Sequence, residues 1–175
     1  MTMNRRSALK NLTIVSGGLI SLPAWMVSCG ISDSDTHHSS FNKKEQETLA
    51  AVADTIIPAG TAIGALSVGV DKFLQKLLDD CYEQPVQESV KNQLHSLDTL
   101  AQNTHNKNFN NCTQEQRQAM LLKLEGSANK DEKDFFELMK KETIRGFSTS
   151  QQVMEDYHGY TIAPGHYYGC VPVQS

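Results

Sequence analysis

The chain has 175 residues, 39% of them hydrophobic and 21% charged, with a formal net charge of -4. This length suits one core and is short for two, and the composition is that of an ordinary globular protein. An acidic balance without a basic patch excludes an electrostatic case for nucleic acid as a partner.

Residues 1–28 have the three-part build of an export signal. Arg5, Arg6 and Lys10 form its positive end. The apolar run from Leu12 to Val27 is diluted by Gly17, Gly18 and Pro23. It falls short of the roughly 20 residues that span a bilayer, so a cleaved signal is expected and not a permanent membrane helix. The stretch NRRSALK resembles the twin-arginine translocation consensus through Arg5, Arg6, Leu9 and Lys10, with Ala8 where Phe is commonest. MVSC at 26–29 resembles a bacterial lipobox, with Met26 where Leu is usual, and makes Cys29 the lipid-modified first residue of the mature chain. Multiple acyl chains there, and not the acidic body, would hold the protein to a membrane. Residues 29–40 then read as a polar tether that includes His37 and His38, and residues 41–175 as the folded domain.

From Phe41 onward the apolar residues follow helical spacing. Asn42 with Glu45 makes a cap-like start for a first helix that places Leu49, Val52, Ala53 and Ile56 on one face, and Pro58 and Gly60 stop it. After a Gly-rich connection, Val70, Phe73, Leu74, Leu77, Leu78 and Cys81 form the strongest amphipathic pattern in the chain. Pro85 suits the first turn of a third helix carrying Val86, Val90, Leu94, Leu97 and Ala101, with His95 at the surface or its boundary. QNTHNKNFNNC, 102–112, has no period and reads as a loop. Thr113 with Gln116 caps a fourth helix that Gly126 closes. A fifth, roughly Asp131 to Arg145, turns Phe135, Phe136, Met139 and Thr143 inward. Ser148 with Gln151 caps a short sixth containing Val153, Met154 and Tyr157. No strand alternation competes with this pattern. The expected fold is all-α: a single compact bundle of about six helices with an irregular C-terminal tail.

Motifs for chemistry are missing from the sequence: no dinucleotide glycine motif, no haem-attachment motif, and no Cys or His pair at zinc or iron–sulfur spacing. The carboxylates Asp79, Asp80, Asp131, Glu132 and Asp134 fall on helix surfaces or first turns, where water or the helix dipole accounts for them. No catalytic, cofactor-binding or metal-binding residue is therefore assigned. Beyond Cys29 three cysteines remain. Cys81, on an apolar face, reads as a plain buried thiol. Cys112 and Cys170, in irregular segments, are the candidates for a bridge to each other or to a second chain.

The tail DYHGYTIAPGHYYGCVPVQS is broken by Gly159, Pro164, Gly165 and Gly169 and carries Tyr157, Tyr160, Tyr167 and Tyr168. His158, His166 and Cys170 match no common metal spacing. Tyrosines are enriched in interface anchors, so Tyr157, Gly159, Tyr160, Pro164, Gly165, His166, Tyr168, Gly169 and Cys170 are the candidate partner-docking residues. The alternatives are a lid packed over the chain's own helices, or a free-standing envelope lipoprotein that binds a small ligand or metal through this tail.

Together, LAAVADTIIPAG, GALSVGVDKFL, FFELMKKETIRGFSTS and YTIAPGHYYGCVP resemble the gluconate 2-dehydrogenase subunit 3 family, the small accessory subunit of a membrane-bound sugar or sugar-acid dehydrogenase. Ala53, Asp54, Ile57 and Pro58 match that family's helix end, Gly69, Val70 and Phe73 its next helix start, and Gly146, Phe147 and Ser148 its late turn. Ile63-Gly64 stands where Pro-Gly is frequent. The resemblance implies a non-catalytic subunit beside an FAD-dependent large subunit of the glucose–methanol–choline type and a multihaem cytochrome c. FAD and haem c are expected in those partners and no cofactor in this chain. It also implies a place in a bacterial cell envelope, facing the periplasm or on the outer membrane, reached by the twin-arginine route.

Overall fold

The computed structural model describes residues 38–163 together with Gly165 and Cys170. Among these the fold is all-α: six α-helices and two short 3-10 turns.

Helix α1, Lys43–Ile56, starts where the sequence places it. Asn42 Oδ1 accepts the Glu45 N–H at 3.0 Å, and Glu45 Oε2 accepts the Asn42 N–H at 2.8 Å, so two otherwise unpaired donors are satisfied reciprocally. Just before the cap, Phe41 is buried, and the Lys91 ammonium stands 5.0 Å from its ring centroid. Leu49, Ala51, Val52 and Ala53 are all buried, more than one face of a surface helix requires. The small alanines let neighbours approach, and α1 becomes the central helix. It packs on each of the next four helices: α2, Val70–Cys81; α3, Gln84–His105; α4, Gln114–Glu125; and α5, Lys130–Ser148.

Helix α2 buries Val70, Leu74, Leu77 and Leu78, each side chain contributing about 1.5–3 kcal/mol to the core. Cys81 does not share that burial. It is the last residue of α2, beyond the end of the packed layer, and its thiol is exposed. The helical period is right, but the face runs out of partners before reaching it.

Helix α3 buries Val90, Leu94, Leu97 and Ala101, and His95 is exposed as expected. The expected loop begins too early, however, because Gln102, Asn103, Thr104 and His105 continue the helix. Asn106 ends it in the left-handed region at φ 52°, and its N–H closes on the Gln102 carbonyl at 3.0 Å. Polar side chains cost a helix only tenths of a kcal/mol each, so α3 runs on through a turn that is largely exposed until the Asn106 cap closes it.

The rest of the expected loop is irregular but buried at its centre. Phe109 is completely buried in a 3-10 turn, Phe109–Asn111. Then α4 opens on its expected box, with Thr113 and Gln116 bonded reciprocally at 3.4 and 3.0 Å, and it buries Met120, Leu121 and Leu124.

Helix α5 begins one residue before the expected start, with Asn129 Oδ1 capping the Asp131 N–H at 3.0 Å, and runs three residues past Arg145. Gly146, Phe147 and Ser148 are therefore helix and not a turn. Gly146 allows the close approach of α2: a Cβ there would lie 2.5 Å from the Phe73 ring, so only glycine leaves room for it. Ser148 likewise does not cap the last helix, α6, Gln151–Asp156. Ser150 holds that position, and its hydroxyl donates back to the Phe147 carbonyl at 2.7 Å.

Candidate functional site

Two buried carboxylates, on α3 and α5, fasten the bundle. Asp98, 5% exposed on α3, accepts the Phe109 N–H at 3.0 Å on one oxygen and the Lys44 ammonium at 3.0 Å on the other. Glu142, 1% exposed on α5, accepts the Tyr82 hydroxyl at 3.1 Å and lies 3.6 Å from Lys141 and 3.0 Å from Arg145. Burial, first, and then the bond to Glu142 push the Tyr82 phenol above its ordinary range. The signal for Glu142 is present in the sequence: Phe135, Met139, Glu142 and Gly146 recur at helical spacing, which puts a charge in an inward stripe. Both oxygens of each acid are engaged, so these carboxylates act as struts and not as general bases. A third pair, Arg117 with Asp54 at 2.7 Å, joins the start of α4 to the end of α1.

The cysteines separate by environment. Cys112 is buried, its thiol donating to the Asn108 carbonyl at 3.5 Å, and burial pushes its pKa up. A sulfur so placed is a poor partner for a bridge, which corrects the expectation for it. Cys170 and Cys81 are exposed and free.

The tail supplies the surface that the bundle interior does not. Gly159, at φ 59°, takes a left-handed conformation that favours glycine, and the Tyr160 N–H closes onto the Met154 carbonyl at 2.9 Å. The chain thus folds back across the end of α6 and presents Tyr157, Tyr160 and Ile162 outward at 60%, 52% and 84% exposure. Tyr160, Thr161, Ile162 and Ala163 line a shallow groove with Glu155. A second groove that shares Glu155 is lined by Ser67, Val68, Ser150 and residues of α6. Over the described part the tail is therefore an outward face and not a lid. Ile162 belongs to it although the sequence pattern does not single it out.

Of the candidate docking residues, Tyr157, Gly159 and Tyr160 come together on this turn, and Gly165 and Cys170 are exposed. Pro164, His166, Tyr168 and Gly169 lie outside the described residues, as do the export positions Arg5, Arg6, Leu9 and Lys10 and the lipidation position Cys29. Among the described residues no group of three His, Cys, Asp or Glu side chains could hold a metal ion, and no helix is long and apolar enough to cross a membrane.

With this geometry in view, comparison with known proteins identifies the family. The family model described as gluconate 2-dehydrogenase subunit 3 matches residues 43–165, and the chain belongs to that family. The match spans all six helices and the turn that carries Tyr160. No curated protein and no solved structure matches the chain.

Proposed function

We propose that this member of the gluconate 2-dehydrogenase subunit 3 family is a non-catalytic small subunit that binds, co-exports and stabilises an FAD-dependent dehydrogenase of gluconate or a related sugar. The observation that carries this reading is the turn at Gly159, which holds Tyr157 and Tyr160 outward while the polar groups of the interior are committed to one another. Rigid, amphipathic aromatic area at the end of a fixed scaffold suits the anchoring of a partner protein.

In this reading the twin-arginine signal serves two chains. The large subunit folds around FAD in the cytoplasm, binds this chain, and crosses with it on Arg5 and Arg6. Acyl chains on Cys29 then hold the assembly at the envelope through the tether of residues 29–40. FAD supplies the oxidising chemistry in the large subunit, and a multihaem cytochrome c subunit takes the electrons onward. This chain positions the flavoprotein and transfers no electrons itself.

Co-expression with the FAD-dependent subunit tests the proposal. The flavoprotein is expected in the periplasmic or membrane fraction with the wild-type chain and in the cytoplasm when Arg5 and Arg6 are both replaced by Lys. A flavoprotein exported equally well in both cases would overturn the shared-signal reading.

A further inference from the structure

The cations of this protein are unevenly placed. Within residues 41–175 the two longest stretches without Lys or Arg are 45–71 and 146–175. They are far apart in sequence, yet the fold brings their ends together, since Ser67 and Val68 line one groove with Gln151, Gln152, Glu155 and Asp156. The tail groove adjoins it through Glu155. The result is a continuous face with Val68, Tyr160 and Ile162 around two carboxylates and with no cation among the lining residues.

Among the described residues, several acids elsewhere in the body are compensated by a cation, whereas others on exposed helix surfaces, Glu137 among them, are not. Asp54, Asp98, Glu125 and Glu142 each sit within ion-pair distance of a Lys or Arg. Glu155 receives only the neutral Gln151 amide at 2.9 Å, and among the described residues neither it nor Asp156 pairs with a cation. Two uncompensated negative charges beside outward aromatic and aliphatic side chains form half of a complementary pair.

We infer that α6, the Leu66–Val68 turn and residues 157–163 form one docking face whose partner presents an apolar depression rimmed by Arg or Lys. This rests on the proposed role as a dehydrogenase subunit and adds the chemistry of the contact: Tyr160 and Ile162 enter the depression, while Glu155 and Asp156 meet the rim. Arg is the better match to the rim, because its planar fork can both bridge a carboxylate and stack on a tyrosine. Association is then faster at low ionic strength and slows as salt screens the pair.

The test uses the full-length chain and the co-expressed FAD-dependent large subunit as probe. Capture of the flavoprotein is compared for wild type, Glu155→Lys with Asp156→Lys, Tyr160→Ala with Ile162→Ala, and the exposed control Glu137→Lys. Circular dichroism and melting confirm that each variant is folded. Expected is a loss of capture of about tenfold or more for both double variants, none for the control, and weaker capture of the wild type as salt rises. Equal capture by all variants would overturn the docking face and leave the subunit role intact. If the folded wild type captures no flavoprotein at all, the subunit role falls, and the inference with it. Self-association of the free chain that the double variants abolish would overturn it in favour of a second copy as occupant.

Discussion

Residues 106–113 and residues 157–163 are both irregular, both follow a helix that ends near a left-handed residue, and both carry aromatic side chains among polar or small ones. They have opposite fates. In the first, Phe109 is fully buried and Cys112 nearly so; in the second, Tyr157, Tyr160 and Ile162 face solvent. The difference is a buried acid. Asp98 reaches out of α3 to hold the Phe109 backbone, so the orphan N–H of an irregular segment can enter the core satisfied. Among the described residues nothing comparable reaches over residues 157–163. Their backbone bonds back to α6, Tyr157 to Val153 and Tyr160 to Met154, fix direction without burying side chains.

The sharpest test of this contrast is chemical and close to all-or-none. A thiol reagent applied to the native protein should modify Cys170 and Cys81, and Cys112 only once the chain unfolds, as read by peptide mass spectrometry. Prompt labelling of native Cys112 would break the comparison. Next in size, Phe109→Ala should cost about 3–5 kcal/mol in a denaturant titration. Asp98→Ala should cost about 1–3 kcal/mol, because the Phe109 N–H is then buried without an acceptor.

A smaller effect tests the second acid strut. The folded-state pKa of Tyr82 lies above the ordinary 10.0, so the folded chain keeps that proton at a pH where the unfolded chain loses it. Its contribution is complete below about pH 10 and is lost as pH rises through the folded-state value. Tyr82→Phe should cost about 1 kcal/mol at neutral pH and flatten the alkaline decline of stability. Last, Tyr160→Ala with Ile162→Ala should leave stability within about 0.5 kcal/mol of wild type. A cost as large as that of Phe109→Ala would make the tail part of the core and erase the distinction.

Sequence reading went furthest where local chemistry decides the outcome. The boxes at Asn42/Glu45 and Thr113/Gln116 and the stripe through Val70, Leu74 and Leu78 need only neighbours within a turn or two, and all three stand as expected. It fell short where a distant partner decides. Gln102–His105 looks like loop because its composition is polar, but polar residues extend an established helix at little cost until a left-handed cap, here Asn106, ends it. Phe109 looks like an isolated aromatic in an Asn-rich stretch until Asp98, eleven residues earlier, is recognised as a charge on a buried stripe. Cys81 has the right phase and the wrong depth. In the candidate docking face, Tyr157, Gly159 and Tyr160 are singled out by the sequence, whereas the meeting of 66–68 with α6 depends on tertiary packing that no local pattern encodes.

The seat of Phe73 against Gly146 reaches further than the interface it fills. A ring lodged where a side chain is missing works like a pin in a slot, indexing α5 against α2 so that neither helix can rotate or slide by a residue. Helix α6 follows α5 after only Thr149 and Ser150, so that index also sets the bearing on which Tyr160 leaves the bundle. A single methyl group added at position 146 would then be felt as a misaimed tail some fourteen residues downstream, at Tyr160.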